Sequence, residues 1–260
     1  MIKVLYEDNH IIAVFKPSGV LTQGDKSGDV SLFDMVKDYL KEKYKKPGNV
    51  FLGLVHRLDK PVSGIVLFGK TSKGASRLSE QFRNHTIQKT YHGIVVGKPK
   101  EARGEIKEKI NKISFFAEGF TDKTDEELLS EIKRATKTRT AELEYQVVPP
   151  LEAARMLGGE AAGIKSDKYS LLKILPKTGR FHQIRVQMAN MGCPILGDEK
   201  YGGPAASWKN NKSPDGKAVE DPRLRRDIGL CATAISFKEA VGGKQINLEI
   251  PLPEGWKGYI

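Results

Sequence analysis

The feature that most constrains this chain is how its apolar residues are spaced. They come in short runs, at residues 2–6, 11–15, 52–55, 65–68, 90–96, 141–148, 169–175, 230–237 and 245–250. Runs of that length, bounded by turn residues such as Asp8-Asn9-His10, predict strands. Helical spacing appears in three places. Leu32, Met35, Val36, Tyr39 and Leu40 follow a capping Ser31; residues 72–84 form a second candidate; residues 181–191 form a third, closed by Gly192 and Pro194. Strands outnumber helices and do not alternate strictly with them. That pattern predicts an α+β fold with a mixed, largely antiparallel central sheet, flanking helices and a cleft.

At 260 residues the chain fits one large domain, residues 1–260. No apolar run approaches the roughly 18 residues of a membrane helix. The start, Met1-Ile2-Lys3-Val4-Leu5-Tyr6-Glu7-Asp8, reads as a strand and not as a signal peptide. Cys193 and Cys231 are the two cysteines, too few for a disulfide framework or a cysteine-rich zinc site. A cytoplasmic protein is therefore expected. His10, His56, His85, His92 and His182 have no Cys or His neighbour at metal-ligand spacing, so no metal is expected.

Lys and Arg total 43 against 32 Asp and Glu, a net charge of +11. An excess of that size suits a polyanionic partner, most often nucleic acid. It is unevenly placed. Residues 1–100 carry 17 basic and 9 acidic side chains, residues 101–166 carry 11 and 13, and residues 167–260 carry 15 and 10. The middle block therefore stands outside the basic surface. It reads as charged, partly helical decoration, with an amphipathic candidate at 125–134, and it suggests a charged insertion at about 101–139. Residues 203–228 show no periodicity and are expected to be a long loop.

One motif is misleading. Residues 64–71, Gly-Ile-Val-Leu-Phe-Gly-Lys-Thr, match a phosphate-binding loop letter for letter. Such a loop must bend its four central residues around phosphate. Ile65, Val66, Leu67 and Phe68 prefer an extended buried strand instead. No nucleotide cofactor is expected.

Two segments concentrate chemistry. Residues 54–64, Leu-Val-His-Arg-Leu-Asp-Lys-Pro-Val-Ser-Gly, set His56, Arg57, Asp59 and Lys60 in a turn between apolar runs. Residues 178–185, Thr-Gly-Arg-Phe-His-Gln-Ile-Arg, deliver Arg180 on a glycine turn and then His182 and Arg185 on one helical face. Either alone could be a charged surface turn. Together they resemble the RluA-type pseudouridine synthases, whose signatures are His-Arg-Leu-Asp…Ser-Gly and Thr-Gly-Arg-x-His-Gln-Ile-Arg. The resemblance extends to residues 6–19, Lys89-Thr90-Tyr91, residues 193–202 and Leu230-Cys231-Ala232, and covers roughly 1–98 and 140–250. Pro61-Val62 replaces the commoner polar-Thr pair.

The resemblance implies an RNA pseudouridine synthase, an isomerase that needs no cofactor. It detaches uracil N1 from the ribose and rejoins the base through C5, in a uridine of structured rRNA or tRNA. It implies that Asp59 is the catalytic aspartate, acting as a nucleophile or through C2′ deprotonation, and that Arg185 pairs with it. A neighbouring cation would hold the Asp59 pKa low. Tyr91 is implied to stack on the uracil and to serve as a base on the detached sugar; Leu230 packs against the base. Arg57 is implied to fill the stack vacated by the flipped nucleotide. Lys16, Arg180 and His182 are implied backbone contacts, His56 a further contact, and Gln183 a support. Many members carry a small N-terminal RNA-binding domain, for which the strand beginning at Ile2 leaves no room. Members tend to act as monomers, so a monomer is expected. A non-catalytic RNA-binding protein of the same fold is the alternative, against which Asp59, Tyr91 and Arg185 together argue.

Overall fold

The computed structural model describes residues 2–25, 28–110, 138–158, 168–204 and 227–259. The ten strands among these described residues form one sheet. They are β1 (Lys3–Glu7), β2 (Ile11–Lys16), β3 (Gly53–Leu54), β4 (Ser63–Gly69), β5 (Gln88–Val96), β6 (Arg103–Ile110), β7 (Arg139–Val147), β8 (Tyr169–Pro176), β9 (Leu230–Lys238) and β10 (Gln245–Glu249). The order is β1-β2-β4-β9-β5-β8-β7-β6, with β3 beside β4 and β10 beside β9. β4 and β9 run parallel where Ser63 meets Cys231 and Gly64 meets Ala232. The other described pairings are antiparallel.

Both faces of this sheet are covered, which is why its central strands read as continuous apolar runs. Ile12, Val14, Val66, Phe68 and Leu172 pack on one face against α1 (Leu32–Lys43) and α4 (Gln183–Asn190). Ile11, Ala13, Ile65, Leu67 and Leu171 pack on the other against α2 (Ser72–Arg83), α3 (Pro150–Met156) and Trp256. Ser31 caps α1 in a capping box with Asp34, as its sequence predicts.

Residues 64–71 form β4 and the start of α2, as their apolar centre requires. Thr71 accepts the Gly74 N–H as the α2 cap, and Lys70 is bound to Glu7 at 2.6 Å. No phosphate loop forms there. Two elements depart from expectation. Residues 103–110 are strand β6 and not decoration, paired along its length with β7. Helix α3 follows β7, with Pro149 as its N-cap, where the sequence pattern predicted no element. The helical candidate 125–134 and most of the 203–228 loop lie outside the described residues.

The centre of the sheet carries one demanding contact. Gly64 has φ +131°, and a Cβ there would lie 2.4 Å from the Ala232 carbonyl oxygen. No side chain fits, so the glycine of the Ser63-Gly64 pair is what lets β4 and β9 run side by side. Gly64→Ala should destabilise the protein by about 3 kcal/mol or more, from strain and overpacking together. Urea unfolding should show the loss as a lower midpoint.

Candidate functional site

The parallel β4–β9 contact opens a cavity of about 560 Å³ beside the start of both strands. Its wall is built from five places: the loop 55–62 joining β3 to β4, the end of α2 with the turn after it, strand β5, the turn that leads from β8 into α4, and the head of β9. Asp59, Arg57, Tyr91, Arg180, His182, Arg185 and Leu230 all line it. The two sequence segments thus meet although more than a hundred positions separate them.

The Asp59 loop is held by its neighbour, residues 17–22. The Thr22 hydroxyl donates to the Leu58 carbonyl at 2.8 Å and accepts the Leu58 N–H at 3.1 Å. The Ser18 hydroxyl donates to the Pro61 carbonyl at 2.7 Å, and the Gly19 N–H to that of Lys60 at 2.9 Å. Beneath them Lys16 is 0% exposed. Its ammonium donates to the carbonyls of Pro17, Val20 and Lys60 at 3.0, 2.7 and 3.1 Å. Three acceptors match its three protons. Burial pushes its pKa down to about 7, against the pull of Asp59 and Asp227. The expected backbone contact from Lys16 is therefore corrected: an enclosed ammonium cannot reach an external ligand. Val62, in the unusual Pro61-Val62 pair, is buried in the core.

Arg185 is the pivot. Its fork grips Asp198, Nε to Oδ2 at 2.7 Å and Nη2 to Oδ1 at 2.7 Å. The remaining nitrogen, Nη1, donates to Asp59 Oδ2 at 3.3 Å. The guanidinium lies 5.0 Å from the Tyr201 ring centroid. The expected Arg185–Asp59 pair is present, but the two-pronged grip belongs to Asp198, a residue given no role from sequence. Asp198 is 1% exposed and stands 13 positions after Arg185. The one signal was its place in residues 193–202, the stretch already noted as similar.

The expected low pKa for Asp59 is also corrected. Burial raises it above the ordinary aspartate value; Arg185 and Lys16 pull it back, and Asp198 adds to the rise. Desolvation outweighs the single, longer contact from Arg185. His182 sits inside this centre and not on the rim. Its backbone is left-handed at φ 50°, which turns the ring toward Asp59, with Nε2 3.6 Å from Oδ2. Burial, with Arg185, Lys200 and Arg57, pushes its pKa down to about 3, so the ring is neutral. Nδ1 is 2.9 Å from the Tyr201 hydroxyl. Arg185 Nη1 stands 3.2 Å from both ring nitrogens, so the neutral ring is held between the guanidinium and the Asp59 carboxylate.

Tyr91 enters from β5. Burial, then the Asp59 and Cys231 charges, push its pKa well up, so it is a phenol at neutral pH and must pass its own proton on before taking another. Leu230, at the head of β9, is buried against the same space. Arg57 is exposed at the mouth. His56, expected as a contact, is structural, and Gln183, expected as a support, is one. His56 accepts the Leu67 N–H on Nε2 at 2.9 Å, and burial, then the Lys89 charge, hold its pKa near about 3. Gln183 folds the turn before α4: its Oε1 accepts from the Thr178 hydroxyl and the Arg180 N–H at 2.7 and 3.0 Å, and its Nε2 donates to the Glu142 carbonyl at 3.0 Å. Arg180 donates from Nε to the Thr140 carbonyl at 3.0 Å. Lys89, Arg83 and Phe181 also line the cavity and were not singled out in the sequence.

Two asparagine substitutions should move stability in opposite directions. Asp198→Asn leaves a buried guanidinium short of its counter-charge and should cost about 3 kcal/mol. For Asp59 the folded pKa lies above the unfolded one, so stability falls as pH rises from the unfolded value through the folded one. Asp59→Asn should therefore raise the Tm at neutral pH, with the gain shrinking in acid below about pH 3.9. Thermal unfolding at the two pH values checks both.

Comparison with known proteins shows the family and the fold. The family model described as RNA pseudouridylate synthase matches residues 10–190. The ribosomal large subunit pseudouridine synthase C of Rickettsia bellii is 31% identical, over 96% of this chain and 68% of its own. The tRNA pseudouridine synthase C of Yersinia pestis is 34% identical, over 100% of this chain and 90% of its own. Among solved structures, human RNA pseudouridylate synthase domain containing 4 has the same fold, with a TM-score of 0.67 at 21% identity, covering 99% of this chain and 92% of the human one.

Proposed function

The chain belongs to the RNA pseudouridylate synthase family, and we propose that it converts one uridine of a structured rRNA or tRNA to pseudouridine with Asp59 as the catalytic carboxylate. The observation that carries this reading is the position of Asp59. It lies in the wall of a cavity large enough for a nucleotide, within reach of one guanidinium nitrogen and beside Tyr91 and Leu230.

The reaction breaks the bond from N1 to C1′ and makes one from C5 to C1′. C5 then loses its proton to solvent and N1 gains one, so atoms balance without a redox partner. Asp59 must be ionised to act, whether as nucleophile or through C2′. Arg185 supports the ionised form through Nη1, while Asp198 fixes the guanidinium plane. His182 presents an uncharged ring to the carboxylate and so adds no second cation. The Tyr91 ring and the Leu230 side chain supply a flat and an apolar surface for the uracil.

A uridine stacked in folded RNA cannot reach Asp59 in place. The nucleotide is flipped into the cavity, at a cost of a few kcal/mol. Arg57 at the mouth takes the space it leaves, since a guanidinium plane stacks on bases and still binds phosphate. The excess positive charge of residues 1–100 and 167–260, the blocks that also supply the cavity wall, favours RNA binding.

Release of tritium from 5-tritiated uridine in total RNA tests the reading. The wild type should release it and Asp59→Ala should fall to background. No release from any RNA would contradict the function; full release by Asp59→Ala would contradict the role of Asp59.

A further inference from the structure

Outside the Asp59 centre, the cavity wall holds two cations given no role so far, the exposed Arg83 and the half-buried Lys89. Lys89 lies on β5 two residues before Tyr91, so both side chains leave the same face of the strand, about 7 Å apart along it. Both line the cavity. Lys89 is partly buried, and burial lowers its pKa. Its charge reaches the neighbouring His56. Among the described residues its side chain makes no hydrogen bond and no ion pair, although those of Lys16, Lys43, Lys60, Lys70 and Lys177 all have partners.

A partly desolvated ammonium with no protein acceptor is costly unless a ligand answers it. What faces it is backbone. A Cβ on Gly179 would lie 3.9 Å from Lys89 Nζ, with no other heavy atom within 4 Å. Gly179 is exposed, and its N–H has no hydrogen-bond partner among the described residues. An open cation and an open amide beside a residue without a side chain form a cradle for an oxyanion.

The geometry points to Lys89 and Gly179 as the seat of one RNA phosphate, that of the target nucleotide or its immediate neighbour. The inference rests on the reading of the chain as an RNA pseudouridine synthase. Tyr91 takes the base at the deep end of the cavity and Lys89 takes the backbone at the shallow end, so one strand face fixes the nucleotide at two points. Lys89 is then a binding and positioning residue, separate from the chemistry at Asp59.

The test uses the full chain, with total RNA carrying 5-tritiated uridine for turnover and the same RNA for equilibrium binding at several salt concentrations. Lys89→Met should raise KM about tenfold, more than it lowers kcat, and should reduce the slope of log affinity against log salt by about 1. Lys89→Arg should restore the slope. Gly179→Ala meets no close atom, so it should keep the wild-type Tm while weakening binding; it carries the test if Lys89→Met fails to fold. An unchanged salt slope in Lys89→Met or, should that variant not fold, unchanged binding in Gly179→Ala would overturn the proposal. So would a loss confined to kcat. If no RNA releases tritium, the enzymatic reading fails, while the salt slope still decides the phosphate seat.

Discussion

The site depends on how one guanidinium divides its nitrogens. Arg185 gives Nε and Nη2 to Asp198, both at 2.7 Å, and is left with Nη1 for Asp59 at 3.3 Å. A buried arginine needs a counter-charge, and Asp198 supplies it whether or not Asp59 is ionised. Asp59 is thereby freed from neutralising Arg185. It keeps a weaker contact, stays short of full compensation for its burial, and sits at a raised pKa. A carboxylate in that condition is more reactive than one locked in a two-pronged pair.

The rest of the fold keeps that division in place. Gly64 allows β4 and β9 to touch in parallel, which sets the start of β4, and so Asp59, beside Leu230. The loop 17–22 fastens the Asp59 loop through Thr22, Ser18, Gly19 and the enclosed Lys16. On the other side Gln183 closes the turn ahead of α4, and the left-handed His182 begins the helix that presents Arg185. Asp59 and Arg185 are therefore fixed by two independent sets of backbone contacts, which meet where Arg185 Nη1 and His182 Nε2 face the Asp59 carboxylate.

Much of this was legible in the residues. The short apolar runs foretold the strands, Ser31 the start of α1, and Gly192 with Pro194 the end of α4. Asp59, Tyr91 and Arg185 were found through their segments, and they share one cavity. Failures have physical causes. β6 is a sheet-edge strand of alternating charges, whose inward positions include Ile106 and Ile110, too few to give an apolar run. The resemblance implies an RNA backbone contact for Lys16; carbonyl oxygens from three residues enclose its ammonium instead, and no sequence pattern announces them. Asp198 was passed over because a carboxylate shows its partner only in three dimensions. The sign of the Asp59 shift was missed for a related reason: proximity of Arg185 can be inferred from motifs, but the extent of burial cannot.

The central claim is that desolvation, and not the nearby arginine, sets the ionisation of Asp59. The pH dependence of tritium release under single-turnover conditions measures it directly. The rate should fall on the acid side through a pKa clearly above about 3.9, the ordinary aspartate value. An acid limb at or below about 3.9, as a carboxylate dominated by Arg185 would give, would contradict the account.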